Sequence, residues 1–150
     1  MVDRAELLDL IGRWWWNYDE GHFDVLDACL TDDAHFTCRT DTGATDWEEF
    51  VRADIVGRDE VMAWQTEHRV NSPYPLRHSA TNVHVVDASD DAATFASYIC
   101  VTHMVNGAPA TLPAGIVTGA TRMVGGKLKI AELHVILDTM ESVVFSSIRD

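Results

Sequence analysis

The chain has 150 residues, 47% of them apolar, and sets 24 acidic against 11 basic side chains for a formal net charge of −13. That much apolar material supports the core of a single domain spanning residues 1–150 and argues against disorder. The acidic surface repels phosphate backbones and anionic bilayers, so neither nucleic acid nor membrane is an expected partner.

The first ten residues, MVDRAELLDL, carry acids where a secretory signal needs a basic region and an apolar run. Cys29, Cys38 and Cys100 are widely spaced and form no CxxC pair, which suits reduced thiols in a cytoplasmic protein. Asp3 followed by Glu6 resembles a helix N-cap with its capping-box partner. Leu7, Leu8, Ile11, Trp14, Trp15 and Tyr18 then recur at spacings of three and four, predicting an amphipathic helix over about 4–18 that Gly21 can stop. HFDVLDACL predicts a second short helix over 22–30, and AHFTCRT a strand over 34–40. Residues 40–56 read as a loop with a helical turn near DWEEFV. GRDEVMAWQTEHR predicts a third helix with Val61 and Trp64 on one side.

NSPYP breaks the helical pattern, and strand-like segments follow at about 76–87, 92–105, 110–124 and 127–142. SDD, NG at 106–107 and GG at 125–126 are hairpin turns, so neighbouring strands run antiparallel. The uncharged stretch 92–121 is interrupted by Asn106, Gly107, Pro109 and Pro113, which makes it two buried strands rather than a membrane span. The last segment alternates: Lys129, Ala131, Leu133, Val135 and Leu137 on one face, with Leu128, Ile130, Glu132, His134, Ile136 and Asp138 on the other. Helices first and a strand meander afterwards predict an α+β fold with the helices on one face of a curved sheet.

Three consecutive tryptophans, Trp14, Trp15 and Trp16, fan over roughly 200° of a helix, so they cannot all enter one core. At least one is expected to line a cavity or meet a second subunit. Asp19 lies beside them at the helix end, where a poorly hydrated carboxylate needs a partner. His78, early in the first meander strand, can be that partner: a carboxylate bonded to a neutral imidazole makes a general base. Asp32 and Asp33 are explained by a turn. The seven histidines show no metal-ligand spacing, and no phosphate loop or nucleophile elbow is present. Neither metal nor cofactor is expected.

The order helix, YDEGHFDVL, LTDDAHF, helix, RHSATN, meander resembles the SnoaL-like family of the nuclear-transport-factor-2-like superfamily, over nearly the whole chain. The resemblance implies a cone-shaped, strongly curved, mostly antiparallel sheet wrapped around N-terminal helices, the cystatin-like α+β barrel, with a deep pocket at its open end. In dehydratase and dehydrochlorinase members an Asp before the helix-ending Gly pairs with a His in an H-x-x-T-N strand motif. Asp19 and His78 match these positions and are the implied catalytic pair. Five residues before the Asp, such members often carry Tyr or Lys, whereas this chain has Trp14. An acid that assists the leaving group must come from elsewhere; Tyr18, Tyr98, His103, His134 and Arg122 are the candidates. For each of the five a structural role is the simpler reading. Trp14, Trp15, Tyr18, Tyr98 and His134 are the expected substrate-binding residues. Tyr98 and His103 differ in strand parity, so both should not face one pocket. The implied activity is that of a cofactor-free lyase or isomerase (dehydratase, dehydrohalogenase or polyketide-cyclase type) acting on a small apolar cyclic molecule. A non-catalytic binding or assembly subunit of the same fold is the alternative. Apolar residues on both faces of ATFASYICVTHMV add a homodimer or higher homo-oligomer to the expected partners.

Overall fold

Asp3 opens the first helix by accepting the Ala5 N–H at 2.9 Å, which fills one of the donors that a helix start leaves free. Glu6 does not close a capping box; its Oε1 accepts the Leu128 N–H at 3.3 Å and ties the helix to the last strand. This helix, α1 (Arg4–Glu20), runs two residues beyond the expected end. Gly21 stops it in the left-handed conformation (φ 71°), and the Gly21 and His22 amides close on the Tyr18 and Asn17 carbonyls at 3.2 and 2.9 Å. The structure, a computed structural model, describes residues 1–148.

The elements that follow are α2 (Phe23–Ala28), β1 (Leu30–Thr40), α3 (Glu48–Val51), β2 (Ala53–Val56), α4 (Arg58–Val70), β3 (Leu76–Ala88), β4 (Ala92–Val105), β5 (Ala108–Thr111), β6 (Gly115–Val124) and β7 (Lys127–Leu137), with a 3₁₀ turn at Phe145–Ser147. Several differ from expectation. The stretch 40–56 supplies the expected helical turn, α3, and also a strand, β2. Asp32 and Asp33 lie within β1 rather than in a turn, where they meet Arg58 at 2.9 Å and Arg122 at 2.6 Å. The segment expected over 110–124 splits into β5 and β6 around Pro113, which has no N–H for a ladder. The uncharged stretch thus holds three strands instead of two. β7 ends at Leu137 because the Thr139 and Met140 amides turn to the Asp41 carboxylate at 3.0 and 3.2 Å.

The strands form one sheet in the order β2-β1-β7-β6-β4-β3, with β5 attached to β4. Every pairing is antiparallel except β1 with β7, where the meander returns to the first strand. Helix α1 packs on β3 at one edge and on β7 within the sheet, while α4 packs on β1 and β2 at the other edge. The sheet therefore curls around its helices. Leu7, Leu10 and Ile11 of α1, Leu26 of α2, Phe95 of β4 and Leu133 of β7 meet in the core, each contributing roughly 1.5–3 kcal/mol by leaving water. Among the described residues no helix is long and apolar enough to cross a membrane.

Two irregularities decide which side chains face inward. In β7 the register against β6 shifts between Glu132 and Ile130, leaving Ala131 as an extra residue. Leu128 and Ile130 face the core on one side of the bulge, and Leu133 and Val135 on the other. Strict alternation put Leu128 and Ile130 on the face of Glu132 and His134; the bulge separates them. In β3 the register shifts between Thr81 and His84, with Asn82 at φ 55°. Ala80 before the shift and Val83 and Val85 after it all pack on the core.

Gly119 of β6 marks a close approach. A Cβ there would lie 2.4 Å from the Glu132 carbonyl oxygen and 2.7 Å from the Phe95 ring. Gly119→Ala is expected to cost about 1–3 kcal/mol or more through forced repacking, read as a lower urea midpoint with an unchanged slope.

Candidate active site

Asp19 ends α1 at the negative pole of the helix dipole, and no basic side chain occupies that last turn. A carboxylate is unfavourable there unless other elements hold it. β3 supplies the partners. Asp19 Oδ2 accepts the His78 backbone N–H at 2.7 Å, and Oδ1 lies 2.5 Å from His78 Nδ1. Arg69 of α4 donates from Nε and Nη2 to the Asp19 carbonyl at 3.0 and 2.8 Å, placing a cation where the helix lacked one. The two side chains are nearly enclosed, 6% exposed for Asp19 and 12% for His78. Because an ionised carboxylate only accepts, Nδ1 carries the hydrogen, and in the neutral ring the lone pair is then on Nε2. The imidazole is also fixed in orientation. Trp15 lies flat against it (centroids 4.9 Å apart, planes 8° apart), and Tyr18 meets it edge-on at 5.2 Å. An indole face favours the cation that forms when Nε2 takes a proton.

The tryptophan fan resolves into three environments. Trp16 is 66% exposed, Trp15 lines a cavity, and Trp14 is 1% exposed. Trp14 therefore belongs to the core and not to the expected substrate-binding set; its indole N–H is buried with no partner among the described residues. Tyr98 is 56% exposed on the outer face of β4, and strand parity gives the inward position to His103, which lines the cavity. His134 also leaves the pocket. The β7 bulge turns it outward to Thr37 Oγ1 at 2.8 Å, Glu132 at 3.3 Å and the His35 ring at 5.2 Å. Arg122, which a solvated charge would explain, is paired with Asp33.

The cavity measures about 420 Å³ and lies between the helices and the sheet, within the usual range for small-molecule sites. Phe36, Val51, Trp64, Ile99, Val101 and Val135 give it apolar walls. His78 reaches it with Nδ1 committed to Asp19, so Nε2 is the nitrogen left for a ligand. The thiol of Cys38 also lines the wall, but burial pushes it up to about 12, so it stays protonated and is a poor nucleophile. Trp47 and Phe50, from the stretch that read as a loop, complete the rim. Among the described residues no group of three or more His, Cys, Asp or Glu could hold a metal ion.

Three pocket or support residues escaped the sequence reading: Arg69, His68 and Gln65. His68 and Arg69 lie in the EHR run that closes α4, and only the fold shows what they touch. His68 Nδ1 is 2.5 Å from the Tyr18 hydroxyl, and its ring stacks on Trp64 at 4.5 Å. Burial pushes the Tyr18 hydroxyl well above its ordinary value, so Tyr18 keeps its proton, its hydroxyl is committed to His68, and it is a weak acid. Burial first, then the neighbouring His78 ring and Arg69 guanidinium, pull His68 down from 6.5 to about 4. Between these values the unfolded chain binds a proton that the folded chain refuses. The stabilisation is therefore complete above pH 6.5 and is lost as pH falls toward 4. It amounts to something on the order of 2–3 kcal/mol. Urea midpoints at pH 7 and pH 4.5 are expected to show this loss, and His68→Phe to flatten it. Asp41, held at about 2 chiefly by the Thr139 hydroxyl, titrates below that window.

The fold and the site can be set beside known proteins. The family model described as "SnoaL-like domain" matches residues 1–134. No curated protein matches the chain. A cystatin-like protein of unknown function from Nostoc punctiforme is 19% identical, with a TM-score of 0.71 and 91% of both chains covered. A candidate scytalone dehydratase from Novosphingobium aromaticivorans is 15% identical, with a TM-score of 0.71, covering 91% of this chain and 83% of that one. A Catenulispora acidiphila protein solved in complex with S-DNPA is 21% identical, with a TM-score of 0.70, covering 89% and 91%. These likenesses carry the fold, and the family match covers most of the chain: it belongs to the SnoaL-like family of the nuclear-transport-factor-2-like superfamily and has its cystatin-like fold.

Proposed function

We propose that the chain is a cofactor-free lyase or isomerase that removes a carbon-bound proton from a small, mostly apolar cyclic molecule. His78 Nε2 takes the proton. Asp19 fixes the tautomer and balances the imidazolium. The electron pair left on carbon moves into an adjacent carbonyl or expels a leaving group. Dehydration, dehydrohalogenation, double-bond shift and aldol-type ring closure share that first step. The observation that carries the reading is a buried carboxylate–imidazole pair whose free nitrogen belongs to an apolar cavity. Water exclusion there strengthens the pair. Family membership supports it, as do the likeness to a candidate scytalone dehydratase and to a structure with a bound compound.

The test is proton exchange. Enolisable ring ketones incubated with the protein in D₂O should gain deuterium at the α-carbon, followed by NMR, and His78→Ala should abolish the gain while the circular dichroism spectrum is unchanged. Exchange that survives in His78→Ala overturns the reading. Ring compounds that bind without any exchange would favour the binding-subunit alternative.

A further inference from the structure

Gln65 shares the buried stripe of α4 with Val61, Met62 and Arg69. It is 3% exposed, yet neither atom of its amide has a hydrogen-bond partner among the described residues. Its side chain lines the cavity, and its amide is not sealed in protein as the Trp14 and Trp15 indole nitrogens are. A buried amide without partners costs stability. At a cavity wall that cost is recovered when a ligand supplies the missing bonds. The amide offers two N–H donors and a carbonyl acceptor, which suits a hydroxyl or a carbonyl oxygen. It does not suit a carboxylate well, because among the described residues no Lys or Arg lines the cavity, and Arg69 behind it donates to the Asp19 and Pro73 carbonyls.

Gln65 and His78 both line the cavity but stand on different elements. Helix α4 packs on β1 and β2, whereas His78 stands on β3 at the opposite edge of the sheet. An oxygen bound at the Gln65 amide is a different ligand atom from the carbon whose proton His78 takes. We infer that Gln65 is the recognition residue of this cavity, and that the ligand is a neutral ring compound with a hydroxyl or carbonyl oxygen placed to meet the amide. The inference deepens the proposed function by naming its substrate class, and it rests on that reading only for the use of the same cavity.

The experiment compares affinities for matched rings by calorimetry or ligand-observed NMR: 2-tetralone with tetralin, 2-naphthol with naphthalene, and 1-indanone with indane. Wild type should prefer the oxygenated member of at least one pair by about tenfold, the value of one good hydrogen bond. Gln65→Met keeps shape and helix propensity but removes the amide. It should bring that preference close to parity while the ligand-free protein unfolds at the same temperature or higher. No preference in any pair, or an equal preference in Gln65→Met, overturns the inference, and so does a marked fall in unfolding temperature, which would mean that the amide is structural. The two readings fail separately. His78→Ala should keep the preference and lose proton exchange. Preference without exchange in wild type sinks the reaction alone; exchange with an unchanged preference in Gln65→Met sinks the recognition role alone.

Discussion

Asp19→Asn is expected to lower the rate of proton exchange by roughly 10³–10⁴-fold with little change in fold, the scale seen when a catalytic imidazole is held in the wrong tautomer. The geometry gives the reason. Asp19 accepts two hydrogen bonds, one from the His78 backbone amide and one from Nδ1. An asparagine can accept only with its oxygen. If that oxygen keeps the backbone N–H, the amide nitrogen faces Nδ1 and donates to it. His78 must then carry its hydrogen on Nε2, and no lone pair faces the cavity. The flipped amide would preserve the tautomer but would set two donors against each other at the backbone, leaving a buried N–H unpaired at a cost of about 1–3 kcal/mol. The first arrangement therefore wins. ¹⁵N chemical shifts of His78 read the tautomer directly: Nδ1–H in wild type and Nε2–H in the variant, with no need for a substrate. An unchanged tautomer together with an unchanged exchange rate would remove Asp19 from the mechanism.

Trp14→Ala carries the largest expected loss of stability, about 3–5 kcal/mol, a large part of the 5–15 kcal/mol that holds a typical domain. Trp14 is among the largest fully buried side chains and packs edge-on to Trp15 at 6.5 Å. Truncation opens a cavity in the middle of α1, beside the ring that stacks on His78. Trp14→Phe separates packing from chemistry. Its indole N–H bonds to nothing among the described residues, so phenylalanine gives up volume but no hydrogen bond. The variant should lose part of the stability and keep the wild-type exchange rate. A folded Trp14→Phe protein without exchange would return Trp14 to the site from which its burial removes it. Denaturant titration and the D₂O assay together decide the matter.

How far the sequence reads correctly follows from the range of the interactions involved. Helix α1, its Gly21 stop, the hairpin turns at Asn106-Gly107 and Gly125-Gly126 and the α+β class are set by contacts within a few residues. Spacing, capping and turn chemistry carry those in one dimension. The cavity and its walls depend on pairings across the chain. The β7 bulge at Ala131 takes one residue from the alternation, and that single insertion sends His134 outward while keeping Leu133 and Val135 inward. Nothing local marks it, because the bulge exists only in register with β6. Strand parity limited Tyr98 and His103 to one pocket position between them, but only the packing of helices on the sheet chose His103. Trp14, Trp15 and Trp16 were bound to diverge by helix geometry; which of them met core, cavity or solvent was decided by the elements that surround α1. Arg69, His68 and Gln65 look like ordinary polar residues at the end of a helix. They acquire meaning when α4 closes against α1, because a carbonyl, a hydroxyl or a cavity becomes their neighbour only then. Periodicity and turn chemistry determined that helices would pack on one face of a curved sheet; the long-range registers of the folded chain determined how far that sheet wraps them and which side chains meet there.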